Sequence, residues 1–519
     1  MKTNFVKLRW LFTMLLFVTT MIMPTMMLAK SIDLKIPEGD GAGTPYKIGT
    51  AEELYWFAGL VNGTLPGVKK DLSANAILTD DIIVNTGVLD PNKDLVSGND
   101  FIEWIPIGKS SSDDDAYTGT FDGNGHTISG LYFNKSNSWY VGLFGCIGAE
   151  GKISNVGVSD SYFQSSNCPY IGGVCGSNSG ELQNCSNSST VIGKENEYRI
   201  GGVCGYNSGT VKDCKNTGSV REKETIGGVC GYNERRYNEK GGIIENSFNE
   251  GTVSGTGDYD VLNIGGVCGY NYGGTIKSCY NTASVSGHDY VGGVCGHSYG
   301  TIKSCYNTAS VSVTGKKVGG VCGDNSDGTS TITNCFNEGT VRGKETIGGV
   351  CGNNSGTIKN CYNTASVSGQ YSVGGVCGDN YEGPITNCYY LSGTVADGKG
   401  GIGGKDDENG KAVEMSKDRF KSGEVAWLLN GSKSVSTEES TLAWYQKLGE
   451  NADAYPVLKS TDHNTVYKAP LFSCDGTTRI GEYANKPEGD KLSHNYQMAE
   501  KADEGTSNLY SEECAICHN

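Results

Sequence analysis

The residues best equipped for chemistry gather at the C-terminal end. Cys474, His494, Cys514, Cys517 and His518 follow one another in the last stretch of the 519-residue chain, and "CAICH" is a CxxC knuckle. Zinc asks for four thiolate or imidazole ligands in a tetrahedron, and one CxxC turn supplies two. Cys474, His494, Cys514 and Cys517 are therefore the candidate ligands of a structural zinc. A disulfide or unpaired thiols would use the same cysteines, and CxxCH is also the spelling of a haem attachment site. This polar tail offers little of the apolar pocket that a haem requires.

Catalytic patterns are sparse. Paired carboxylates would mark polysaccharide cleavage. Asp324 and Asp379 share a register two repeats apart, and Asp113, Asp114 and Asp115 sit together, but acidic loops are more often simply solvated. The chain has six His and no His-Glu-x-x-His zinc motif. No nucleophile stands beside a recurring base. The expectation is a protein that is not an enzyme. Its aromatic residues suggest binding instead. Tyr206, Tyr232 and Tyr270 follow a Val-Cys-Gly phrase at one register. Tyr280, Tyr306, Tyr362 and Tyr389 follow a second cysteine. Facing outward, such columns could stack on sugar rings or dock a protein. The competing use is cross-strand packing that stiffens a sheet.

What must position these residues is a repeat. Gly-Gly-Val-Cys-Gly occurs eight times, its cysteines being Cys175, Cys204, Cys230, Cys268, Cys295, Cys322, Cys351 and Cys377. A period in the twenties marks a stack of one supersecondary unit, and an insertion near Glu234 to Gly242 lengthens one copy. Within a unit the pattern predicts three strands: Tyr290 to Gly296, Gly300 to Asn307, and Ala309 to Val313. Glycine, 77 residues in all, is expected at corners that need a positive φ. Asn216, Asn249, Asn281, Asn307, Asn337 and Asn363 recur at one register. They are placed either to form a ladder or to tolerate a left-handed turn. The second cysteine register is Cys185, Cys214, Cys279, Cys305, Cys335, Cys361 and Cys388, with Ser247 in one copy. Buried thiol stacks suit that odd count better than disulfides, because stacked parallel strands lie too far apart for the usual Cβ separation.

The ends must be covered. Thr50 to Glu53 is a capping box, and Leu54, Phe57, Ala58 and Val61 give one apolar helix face. Phe420 to Gly431 reads as a second short helix, with Trp444 and Tyr455 to Leu458 closing the core. Residues 1–29 have the layout of a secretory signal peptide: Lys2, Lys7 and Arg9, then an apolar run from Trp10 to Met23, then Ala29. The remaining boundaries fall at 30–118 (N-terminal cap and first strands), 119–396 (repeats), 397–460 (a loop expected to be mobile, and the C-terminal cap) and 461–519 (tail). A net charge of -16 disfavours nucleic acid as a partner. No later stretch is apolar enough to span a bilayer. The expected location is secreted or on the cell surface, and the expected partner a polysaccharide, glycoprotein or surface protein.

Gly142-Leu143-Phe144-Gly145 is a literal GLUG motif, and the eight Gly-Val-Cys-Gly copies look like variants of it. Thr120 to Leu131 and Thr50 to Asn62 are similar to segments that accompany such repeats. From Ile48 to Leu458 the chain resembles the GLUG-repeat proteins. The resemblance implies an all-β fold, a right-handed parallel β-helix with short helical caps at both ends, on an exported bacterial protein. GLUG repeats also accompany IgA-cleaving metallopeptidases, but the zinc motif of that activity is missing here.

Overall fold

A computed structural model describes residues 32–110, 115–167, 169–193, 199–222, 225–235, 241–255, 263–396, 399–403, 411–432, 442–449, 451–458, 464–472 and 479–485. The chain is a parallel β-solenoid of about 11 turns. Each regular turn carries five short strands where the pattern suggested three. In one turn these are Val291–Gly292, Cys295–Ser298, Thr301–Lys303, Tyr306–Asn307 and Val311–Val313. The predicted Gly300–Asn307 strand breaks at Ser304, whose φ is 53°. The predicted Tyr290–Gly296 strand bends at Gly293–Val294. Corresponding strands of successive turns pair in parallel, building two 12-stranded and three 9-stranded sheets. The insertion near Glu234 leaves the stack intact, because Thr210 still pairs with Ile243 in the next turn.

The left-handed corner sits just before the second cysteine register, at Asn155, Asn184, Asp213, Asn246, Ser278, Ser304, Asn334, Asn360 and Asn387. Short polar side chains tolerate that conformation. Glycine does not supply it. None of the glycines in the eight Gly-Gly-Val-Cys-Gly copies has a positive φ. They are there for lack of room: a Cβ on Gly202 would lie 2.2 Å from the carbonyl oxygen of Gly228 and 2.3 Å from Asn216 Cγ. The backbone of the next turn and the asparagine column occupy the space a side chain would need.

That column is a ladder. The amide of Asn187 donates to Asn216, and the chain continues through Asn249, Asn281, Asn307, Asn337 and Asn363 with every step 2.8 Å. Each of these asparagines is fully buried, so each amide must find partners inside the protein. A second ladder runs Asn178, Asn207, Asn233, Asn271 and reaches Ser298; a third joins Asn325, Asn354 and Asn380.

The core is a set of apolar columns. Phe144 pairs in register with Cys175, so the cysteine of each repeat stands where the GLUG phrase has its aromatic residue. The sixteen described cysteines are buried free thiols. Ser247 fits the second cysteine column because its hydroxyl accepts from the Cys214 amide and donates to the carbonyl of Glu245.

Both caps are helical. Helix α1 (Ala51–Asn62) starts at Thr50, whose hydroxyl accepts from the Glu53 amide, and stops at Gly63 in the left-handed region. It buries Leu54, Phe57, Ala58 and Val61 over the first turns. At the other end the expected single helix is two, α2 (Lys417–Lys421) and α3 (Glu424–Leu429), broken at Gly423 with φ 87°. Phe420, Val425, Leu429 and Trp444 pack there into a second core. An antiparallel hairpin, Val466–Phe472 with Arg479–Asn485, follows.

Candidate functional site

Two aromatic columns climb the outside of the solenoid. The first stands on the sheet that begins each turn after the left-handed corner. Phe248, Tyr280, Tyr306, Phe336 and Tyr362 stack with ring centroids 4.7 to 5.1 Å apart and planes within 8° of parallel. Its C-terminal end is closed. Tyr362 is fully buried against Trp444 and Phe420, and its hydroxyl donates to the carbonyl of Pro456 at 2.6 Å. Burial also holds its phenol well above the ordinary range. Tyr362 is therefore cap packing and not an open binding residue: the chain's own C-terminal cap occupies that face. Tyr306 is half-buried beside the same cluster, and Tyr280 is half-buried below it.

The second column is open. Tyr140 stacks on Tyr170 at 5.2 Å, Tyr170 meets Tyr206 edge-on at 5.3 Å, and Tyr206, Tyr232 and Tyr270 follow at 5.8 and 5.0 Å. Tyr206 is buried at its ring, while Tyr170, Tyr232 and Tyr270 are half-buried. The Arg199 guanidinium lies over Tyr170, Tyr206 and Tyr232, closest to Tyr232 at 4.4 Å, and donates to the Tyr170 hydroxyl at 3.0 Å. Stacked cation and rings hold one another in place. Tyr272, 47 % exposed, and Tyr299 widen the strip beside Tyr270.

At its N-terminal end the strip runs into a cleft of about 420 Å³ lined by Ile105, Lys109, Phe133, Asn137, Trp139 and Tyr140 among others. Trp139 is 66 % exposed. Neither Trp139 nor Arg199 was singled out from sequence, because neither recurs at the repeat period. A lone tryptophan in the polar run "KSNSWY" was the available signal.

Among the described residues the candidate catalytic groups do not assemble. Asp324 and Asp379 do share one column, with Asn353 between them. Asp324 is buried, paired to Lys317 Nζ at 2.7 Å, and accepts from the Asn353 amide. It has no freedom to act as an acid or base. His297, next to it in the column, has Ser326 Oγ 2.9 Å from Nε2 and Asn263 Oδ1 3.2 Å from Nδ1. The order resembles a Ser-His-Asn relay. Burial, however, pushes the imidazole down to about 4. A base that weak at neutral pH does little to activate a hydroxyl. The contacts satisfy a ring packed against Tyr270, Tyr290 and Tyr299. The sixteen described thiols are buried and out of reach of a substrate, and burial drives Cys204, Cys268 and Cys351 well above the ordinary thiol range.

Among the described residues no group of three or more His, Cys, Asp or Glu could hold a metal. The zinc candidates Cys474, His494, Cys514 and Cys517 lie outside the described residues, as do Asp113 and Asp114. Asp115 is described, and pairs with Lys70 at 2.5 Å.

The comparisons agree with this architecture. The model of the GLUG motif matches residues 196–221 and 260–286. The chain carries GLUG repeats. A stretch of 84 residues is 38 % identical to halomucin of Haloquadratum walsbyi, covering 16 % of this chain and 1 % of halomucin. The match thus spans a very small part of that relative's length. Among solved structures, a candidate immunoglobulin A1 protease from Bacteroides ovatus is 20 % identical with a TM-score of 0.31, covering 82 % of this chain and 95 % of that one. An IgA1 protease structure is 14 % identical with a TM-score of 0.27, covering 66 % and 21 %. Those likenesses carry no argument about activity.

Proposed function

We propose that this GLUG-repeat solenoid is a non-catalytic binding protein whose open aromatic strip receives a carbohydrate chain outside the cell. The observation that carries the proposal is the run Tyr140, Tyr170, Tyr206, Tyr232 and Tyr270, half-buried except at the buried Tyr206 and stiffened by Arg199. The half-buried rings, packed on one another, present apolar edges with phenol hydroxyls and the Arg199 guanidinium beside them, a mixed surface that suits the apolar faces and hydroxyls of sugar rings. A rod that repeats itself suits a ligand that repeats itself. The basic and apolar layout of residues 1–29 supports export to the cell surface or beyond.

The test is retention of the purified chain on insoluble plant, mucin and bacterial polysaccharides, with released fragments scored in parallel. Retention without fragments is the expected result. Fragment release would overturn the non-catalytic reading, and capture by none of the polysaccharides would overturn the carbohydrate one.

A further inference from the structure

The cleft beside Trp139 differs in kind from the strip that leads to it. The strip is built from repeat positions, one ring per turn. The cleft is built where the repeat meets the N-terminal cap. The cap segment pairs along the first turn, Ile107 with Phe144 and Tyr117 with Ile147, so residues Ile105 to Ser110 stand as a wall at this end. Tyr140 belongs to both features: it lines the cleft and stacks on Tyr170 of the strip.

The lining is half apolar and half polar. Trp139 and Ile105, 66 % and 50 % exposed, give open apolar surface. Asn137 is held in the left-handed region with φ 60°, and its Oδ1 accepts from Asn167 at 3.2 Å. That bond leaves the Asn137 amide hydrogens pointing to no protein acceptor among the described residues. Ser138 stands beside it. Lys109 is exposed, and its Nζ donates to the carbonyl of Asn62 at 2.8 Å, which places its positive charge at the rim of the cleft. The volume sits near the low end of small-ligand sites, about 300–1,000 Å³. An exposed indole beside an amide, a hydroxyl and the Lys109 ammonium offers one flat apolar face and several hydrogen-bond donors, the pairing that a sugar ring presents in return.

We infer that this cleft is a terminal subsite: it takes the last pyranose ring of a carbohydrate chain against Trp139, while the rings behind it run along the tyrosine strip. The inference rests on the carbohydrate reading of the strip and adds to it that the protein recognises chain ends. The wall at Ile105 to Ser110 stops the chain, so a blocked end cannot be seated.

The probes are β-1,4-linked oligomers of glucose, xylose and N-acetylglucosamine, two to eight units long, either free or carrying a bulky group at both ends. Binding is measured by calorimetry on the full chain, wild type beside Trp139→Ala, Trp139→Phe and Tyr232→Ala. For the ladder that binds, Trp139→Ala is expected to weaken free oligomers about tenfold, the loss of one stacked ring, with Trp139→Phe recovering part of it. Blocking both ends should cost the wild type a similar factor and Trp139→Ala nothing more. If Tyr232→Ala weakens binding while Trp139→Ala and end-blocking leave it unchanged, the terminal subsite is wrong and the strip reading stands. If no ladder binds, the carbohydrate reading falls and takes the subsite with it.

Discussion

The closed and the open aromatic columns both draw one ring from each turn, but the closed one keeps a single register while the open one passes from the Tyr140–Tyr170 register to the Tyr206–Tyr232–Tyr270 register on the next sheet. In the closed column the rings are near parallel, and the last of them, Tyr362, disappears under Trp444 and Phe420. In the open column the stack is looser. It is crossed by an arginine, broken by a histidine, and ends at an exposed tryptophan. The difference teaches that rings at repeat positions can serve as a seat: on one face the chain's own C-terminal cap covers the column. On the other face Tyr170, Tyr232 and Tyr270 stay half-buried among the described residues.

The sharpest way to break this contrast is the same truncation on both faces. Tyr362→Ala should cost about 3–5 kcal/mol, the loss of a buried aromatic side chain together with the cavity it leaves. Urea denaturation followed by tryptophan fluorescence would read it at Trp444. A cost near zero would mean that the cap is not seated on the column.

Acid should separate the faces next, because the open column contains a half-buried imidazole. His297 in the folded protein titrates at about 4 against an ordinary 6.5. The unfolded chain therefore binds the extra proton first as pH falls. The stability associated with neutral His297 is complete above about pH 6.5 and is lost progressively toward pH 4, about 3 kcal/mol across that window. Denaturation midpoints at pH 7 and pH 4.5 should differ accordingly, and His297→Gln should flatten the difference. An unchanged slope in that variant would assign the acid sensitivity elsewhere.

Asn281→Ala probes what the faces share. It strands the Asn249 and Asn307 amides on either side of it and should cost about 1–3 kcal/mol per orphaned group. Hydrogen exchange should show the loss centred on its own turn and the two neighbours; an even loss along the rod would contradict nearest-neighbour stacking. The smallest effect belongs to Tyr232→Ala. Its ring is half-exposed, so the stability cost should be about 1 kcal/mol, while retention on the responsive polysaccharide drops several-fold. A cost matching that of Tyr362→Ala would make the open column structural rather than receptive.

The repeat period made the solenoid, its parallel stack and its thiol columns legible, because each is a consequence of spacing alone. Phe144 standing in register with Cys175 bears out the reading of the cysteine phrase as a GLUG variant. The glycines were misread for a physical reason: a missing side chain serves equally for a positive φ and for a crowded neighbour, and only the backbone distinguishes Gly202 from Asn184. The split of one expected strand at Ser304 was hidden because serine is rarely the left-handed residue. Tyr362 looked like Tyr232 on paper, since nothing local records that a segment some 90 residues later will fold back over it. Trp139 was passed over because attention to what repeats suppresses what does not.

The matched register of the turns has a consequence for heredity. A unit such as Thr301 to Ser330 offers its neighbours the same ladder asparagine, the same thiols and the same glycine stripe that it receives from them. Removing or duplicating one such unit would present matching surfaces at the new junction. The rod can therefore change length in single steps while both caps keep their seats, so unequal recombination between near-identical repeats becomes a route to variants of different reach rather than to misfolded chains.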